Sequence, residues 1–257
     1  MPPPGRLGSV PQADDVLTGL SRSYLFEDLT RAELGPLAAE VTTRRLVRGE
    51  YVFHQGDPAD EIYVVQSGEV KDSVVDADGY EVIYFVHGPG MTFGEPGYFA
   101  VERTRIVEVI AVQPCTLIRL GRRVLGPFMQ RHGSVKDRAL EGLASNTRWQ
   151  STMIASQANH PLTDRILLRL LELTDSGPAR TSGEAVTPKI SQSTLAAMIG
   201  VSRENVNRAL ATLMASGLVR QEAGRYILVD EERLRRQVGR DWPLAARRDR
   251  RIDPPRR

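Results

Sequence analysis

The sequence predicts an α+β chain: a jelly-roll-like β-roll, then one long helix, then a winged helix-turn-helix. Three observations predict it. Residues 20–132 alternate short apolar runs with glycine turns, the rhythm of a small all-β roll. Residues 134–159 carry no proline and one glycine, Gly142, which suits a single long helix. Residues from Ile190 to Leu213 read as helix, glycine turn and capped second helix, with two short strands after them.

Residues 1–19 open Met1-Pro-Pro-Pro and predict a disordered polar leader. In the roll, 20–132, strands are expected at 51–53, 61–65, 68–75, 81–86, 105–112 and 117–120. Gln55-Gly-Asp-Pro, Ser67-Gly, Asp76-Ala-Asp-Gly and Gly88-Pro-Gly supply the turns between them. Over 133–160, Leu140, Leu143, Thr147, Gln150, Ile154 and Gln157 follow a 3-4 spacing. Such a seam suits pairing of two helices, and its polar middle suits a ligand lying beside it. Residues 161–236 form the winged module, and 237–257 a basic tail rich in arginine. That tail reads either as a solvated terminus or as an auxiliary phosphate contact.

The helix-turn-helix carries the chemistry. Ser191 is a good N-cap, and Leu195, Met198 and Ile199 give the first helix an apolar face. Gly200 tolerates the left-handed turn. Ser202 can cap the second helix, whose Val206, Leu210 and Leu213 recur at helical spacing. The opposite face presents Arg203, Glu204, Asn207 and Arg208. Arginines there suit guanine O6 and N7, and a glutamate suits the cytosine amino group, which points to sequence-specific double-stranded DNA. A competing reading makes Glu204 and Arg208 an i, i+4 ion pair on a solvated helix. The strands on either side of Gly224 add a wing and favour the DNA reading. Gln192, Ser193, Arg220, Gln221 and Arg225 are candidate phosphate contacts.

Composition excludes several other classes. The 257 residues are 41% hydrophobic, with a formal net charge of +2, so a nucleic-acid surface must be local. No apolar run reaches the ~18 residues of a membrane span, and no signal peptide opens the chain; a cytoplasmic protein is expected. One cysteine, Cys115, rules out an internal disulfide and a four-cysteine cluster. The four histidines lack ligand spacing, so no metal is expected. Without a phosphate-binding glycine loop, a nucleophile elbow or an acid/base pair in a motif, an enzyme is not expected either.

The two motif sets, in this order, resemble the CRP/FNR family of bacterial transcription regulators, the family of the cyclic-AMP receptor protein. The roll matches through Gln55-Gly-Asp57, Ile62-Tyr-Val-Val, Ser67-Gly68-Glu-Val, Asp78-Gly79, Gly90-Met-Thr-Phe93-Gly94-Glu95 and Arg103-Thr104. The DNA module matches through Val201-Ser202-Arg203-Glu204 with Arg208, and the resemblance spans about residues 20–235. It implies a cyclic-nucleotide-binding-type roll, a dimerisation helix and a homodimer that binds DNA and works with RNA polymerase. It also implies cAMP or cGMP as effector. Gly94 would open the cradle, Glu95 would take a ribose hydroxyl, and Arg103 and Thr104 would take the phosphate. The amides of a short helix near Pro96 would help. Ser151 and Thr152 on the long helix would contact the base, unless the register slips to Gln150. The resemblance further implies TGTGA-like half-sites for Arg203, Glu204 and Arg208, with Asn207 departing from the usual small residue. Two other departures concern the cradle. Glu95 and Arg103 lie eight positions apart, shorter than the family's usual spacing. Arg105 stands where a small residue is usual, and would either occupy the pocket or add an anion contact. The alternative is the same fold without a nucleotide response: constitutive, or answering another effector such as haem through His87 or Cys115.

Overall fold

The computed structural model describes residues 13–75, 81–174 and 184–235. They fall into two compact units, one holding 13–71 and 86–143, the other 72–75, 81–85, 144–174 and 184–235.

The first unit begins with α1 (Ala13–Ser21), a 3-10 turn at Tyr24–Phe26, and α2 (Arg31–Glu40). The expected leader of residues 1–19 therefore ends earlier than expected. Val16 and Leu20, spaced i, i+4, are buried against Leu34 and Leu37. Asp14 and Asp15 sit in the first turn, where the helix dipole favours them. A nine-residue helix with one short apolar stripe gives too little periodicity to stand out in the sequence. Residues 1–12 lie outside the described residues.

The roll follows: β1 (Thr42–Leu46), β2 (Tyr51–Phe53), β3 (Glu61–Ser67), β4 (Val70–Val75), β5 (Glu81–His87), β6 (Thr92–Phe93), α3 (Glu95–Phe99), β7 (Glu108–Ala111) and β8 (Cys115–Gly121). Two four-stranded sheets form, in the orders β1-β8-β3-β6 and β2-β7-β4-β5. Strand β3 shows why its sequence is continuously apolar. Ile62 and Val64 face the helices, whereas Tyr63 and Val65 face the roll interior with Phe53, Phe93 and Leu117. Both faces are covered, so alternation disappears. The expected strand over 105–112 is shorter, because Arg105 instead bonds to the loop before β3: its amide donates to Asp57 O at 2.8 Å. The turn expected at 76–79 lies outside the described residues. Helix α4 (Arg122–Arg131) closes the roll, and α5 (Gly133–Asn159) is the long helix.

In the second unit, α6 (Leu162–Thr174), β9 (Ala185–Val186), α7 (Gln192–Ile199), α8 (Arg203–Ala215), β10 (Val219–Glu222) and β11 (Arg225–Leu228) surround one core. Its centre is Ile166, Leu170, Leu195, Val206, Leu210, Tyr226 and Leu228, all fully buried. The wing is a three-stranded sheet, β10-β11-β9, one strand more than the hairpin expected. The same unit holds a clasp around Trp149 of α5. Its indole N–H donates to Glu172 at 3.0 Å, Arg169 pairs with Glu172 at 2.8 Å, and Phe85 meets the ring edge-on. Arg169 also donates to Tyr84 O at 3.3 Å. The basic tail of 237–257 lies outside the described residues.

Candidate DNA interface and effector cradle

Helix α8 starts where its sequence predicts. Ser202 has extended backbone angles, and its hydroxyl accepts the Asn205 amide at 3.3 Å. Ser191 caps α7 in the same way, accepting from Thr194 at 3.0 Å. Between them Gly200 takes a left-handed conformation, φ 73°, which a side chain rarely adopts. Val206, Leu210 and Leu213 anchor α8 in the core.

That anchoring turns Arg203, Glu204, Asn207 and Arg208 outward, and all four are exposed. The i, i+4 pair between Glu204 and Arg208 does not form. Arg208 instead donates to Asn205 Oδ1 on its own helix. Gln192, half-buried at the start of α7, donates to Asn207 Oδ1 at 3.3 Å, so the two helices present one polar surface. Arg203 and Glu204 lie in the first turn of α8, the part of a recognition helix that reaches base edges. The wing is less free than its sequence suggests: Arg220 is held by Glu184 at 3.0 Å, and Arg225 donates to Thr187 O at 3.1 Å.

In the roll, Gly94 sits between β6 and α3 with φ 95°, a left-handed conformation natural to glycine. Glu95 follows, half-buried, as the first residue of α3. The expected amide donors are few. Pro96 has none, the Tyr98 amide already bonds Gly94 O at 3.1 Å, and α3 is only five residues long. Arg103 and Thr104 are both exposed. The cause is local: Arg103 has φ 51°, a left-handed angle that breaks the alternation of an extended segment.

The guanidinium packed against Gly94 belongs to Arg105, which is 4% exposed. It donates to Gly94 O at 3.2 Å and to Glu61 O at 2.8 Å, and lies 4.1 Å over the Phe53 ring. Beside it the Glu61 carboxylate takes Arg119 at 2.6 Å and the Tyr63 hydroxyl at 2.7 Å. Burial pushes the Glu61 carboxyl up, but those hydrogen bonds outweigh it and hold the group below the usual glutamate range. Burial, aided by the Glu61 charge, pushes Tyr63 up to about 12. Burial also lowers Arg105, the mark of a poorly solvated charge. Sequence reasoning named neither Glu61, Tyr63 nor Arg119. The only available signal was their placement: 61 and 63 share a face of β3, and Arg119 stands opposite Tyr63 on β8.

On α5, Ser151 is exposed and its hydroxyl donates back to Thr147 O at 3.0 Å. Thr152 occupies the next position, its side chain outside the described set. Gly94, Glu95, Arg103 and Thr104 belong to the first unit, Ser151 and Thr152 to the second. Leu140 and Ile154, fourteen positions apart on α5, are exposed. Cys115 and His87, the residues a haem would need, are 4% and 8% exposed, and burial pushes the Cys115 thiol up. Among the described residues no His, Cys, Asp and Glu cluster suits a metal ion, and no helix is long and apolar enough to cross a membrane.

Comparison with known proteins gives two family matches: a cyclic nucleotide-binding domain over residues 43–132 and a Crp-like helix-turn-helix domain over 164–237. A CRP-like cAMP-activated global transcriptional regulator of Mycobacterium tuberculosis is 29% identical over 225 residues, covering 85% of this chain and 98% of the relative. Among solved structures, the c-di-GMP responsive global regulator CLP of Xanthomonas campestris is 25% identical with a TM-score of 0.67, covering 77% of this chain and 99% of that one. A CRP/FNR-family transcriptional regulator of Thermus thermophilus is 26% identical with a TM-score of 0.62, covering 78% and 99%.

Proposed function

The chain belongs to the CRP/FNR family of transcription regulators, not to a family of enzymes, and from that premise we propose a homodimeric, effector-controlled reader of TGTGA-like half-sites. The observation that carries the reading is α8: a capped, core-anchored helix with Arg203, Glu204, Asn207 and Arg208 exposed along one face. Ser202, whose hydroxyl caps that helix, lies beside them, and Gln192 braces Asn207. Arg203 and Arg208 each suit a guanine edge, and Glu204 a cytosine amino group.

Dimerisation is proposed along α5, where exposed Leu140 and Ile154 mark the seam, with Leu143, Thr147, Gln150 and Gln157 between and beyond them. Two α8 helices related by a twofold axis would enter successive major-groove turns about 34–36 Å apart. The proposed effector is cAMP or cGMP. Glu95 would take a ribose hydroxyl, Arg103 and Thr104 would close over the phosphate from the rim, and Ser151 and Thr152 would meet the base. The ligand controls DNA binding only by binding the DNA-competent state more tightly. RNA polymerase is the proposed protein partner, and the cytoplasm the proposed location.

A second reading, the same DNA-binding protein without a nucleotide response, is favoured by one observation: the Arg105 guanidinium is buried against Gly94 O, while Arg103 and Thr104 are exposed. The deciding experiment measures binding of the full chain to a palindromic TGTGA duplex with and without cAMP or cGMP. Tighter binding with one nucleotide supports the effector reading. Tight, sequence-specific binding that ignores both supports the second.

A further inference from the structure

Arginine is rarely buried unless it is paired. Arg105 is 4% exposed and makes no ion pair at contact distance among the described residues; its direct partners are two backbone carbonyl oxygens and the rings of Phe53 and Tyr63, with the carboxylates of Glu61, Asp60 and Glu95 acting on its charge from further off. Its Nε is buried without a hydrogen-bond partner. The placement of the guanidinium is equally specific. A Cβ built on Gly94 would lie 2.7 Å from Arg105 Nη1. The room that Gly94 leaves is thus filled by the chain's own cation.

We infer that Arg105 is the residue that sets ligand affinity in this roll: a tethered occupant of the cradle that a cyclic nucleotide must displace. The inference rests on the cyclic-nucleotide reading of the roll. One face of the guanidinium is closed by Phe53, its Nη1 and Nη2 are both engaged, and its Nε is shut off from solvent. At 4% exposure the guanidinium leaves little open surface for an anion while the side chain stays in place. Displacement costs two charge-assisted hydrogen bonds and a stacking contact, and leaves Gly94 O and Glu61 O needing new donors. A sugar hydroxyl is a donor, a phosphate oxygen is not. The same cost discriminates against ligands that present only acceptors. Arg103, exposed on the rim, remains available to a ligand that has entered.

The test is calorimetric titration of full-length protein with cAMP and with cGMP, comparing the native chain with Arg105→Ala, Arg105→Met and Arg103→Ala. The Met variant keeps an apolar stem over Phe53 and guards against loss of fold, with melting curves as control. The inference predicts that both Arg105 variants bind at least tenfold tighter than the native chain, and that Arg103→Ala binds more weakly. Binding in the native chain that is unchanged or weakened in folded Arg105 variants overturns the inference and leaves the nucleotide reading standing. No binding by any folded form, variants included, overturns both.

Discussion

Replacing Arg208 by alanine tests base reading most sharply. Arg208 is exposed in the free protein, and its side chain is tied to Asn205 Oδ1 on the same helix. Its removal therefore leaves the core around Leu210 intact and costs the fold little, as exposed substitutions do. On DNA, an arginine bidentate to guanine contributes about 1–3 kcal/mol of discrimination. The Asn205 contact must be given up on binding, and a net hydrogen bond is worth roughly 0.5–1.5 kcal/mol. The expected loss thus lies in the lower part of that range, about 1–2 kcal/mol or 5–30-fold. Fluorescence anisotropy on a panel of duplexes, each with one half-site position changed, measures it. The loss should be concentrated at one base pair, and that position should become permissive. Uniform weakening on every duplex, with a salt slope lower by about one, would make Arg208 a phosphate contact and refute the assignment.

Four further outcomes follow from the geometry. Ser202→Ala should destabilise the second unit by about 1 kcal/mol and Ser202→Gly by a few tenths, since both lose the cap but glycine, without a side chain, leaves the first-turn amides open to water; equal losses in urea unfolding contradict the capping role. Leu210→Ala, at a fully buried position, should cost about 2–5 kcal/mol in the same assay. Breaking the buried Arg169–Glu172 pair by Arg169→Ala should cost about 3–5 kcal/mol, because Glu172 is left charged, and should shift Trp149 emission in a Trp242→Phe background. Folding lowers the Glu61 carboxyl, so its contribution is complete above the ordinary glutamate value of ~4.3 and is lost as pH falls through the lower folded value. Arg119→Met should flatten that acid dependence of stability, measured by melting curves across the acid range.

The DNA module was legible because its determinants are local. Ser191, Gly200 and Ser202 act within three residues of themselves, and the spacing of Val206, Leu210 and Leu213 fixes which side of α8 faces outward. Strands with partners far along the chain were harder. Thr42–Leu46 carries two arginines and one buried residue, and pairs with β8, from Arg119 opposite Thr42 to Cys115 opposite Leu46, far along the chain. Ala185–Val186 and Thr92–Phe93 are two-residue strands defined only by their neighbours. The cradle shows the sharper limit. Arg103 and Arg105 stand two apart and would share a face of an ideal strand. A single left-handed angle at Arg103 separates them, so that one is exposed and the other buried. No residue type at 103 announces that angle, since arginine does not favour it.

Sequence-specific DNA binding by the α8 face is the central property proposed for this chain. The direct measurement is the affinity of the full chain for a palindromic TGTGA duplex against a scrambled duplex of the same length, at two salt concentrations. A base-reading α8 gives preference for the palindrome at both salts, lost in the Arg203→Ala/Arg208→Ala double variant. Equal affinity for both duplexes at both salts, with and without cAMP or cGMP, contradicts it.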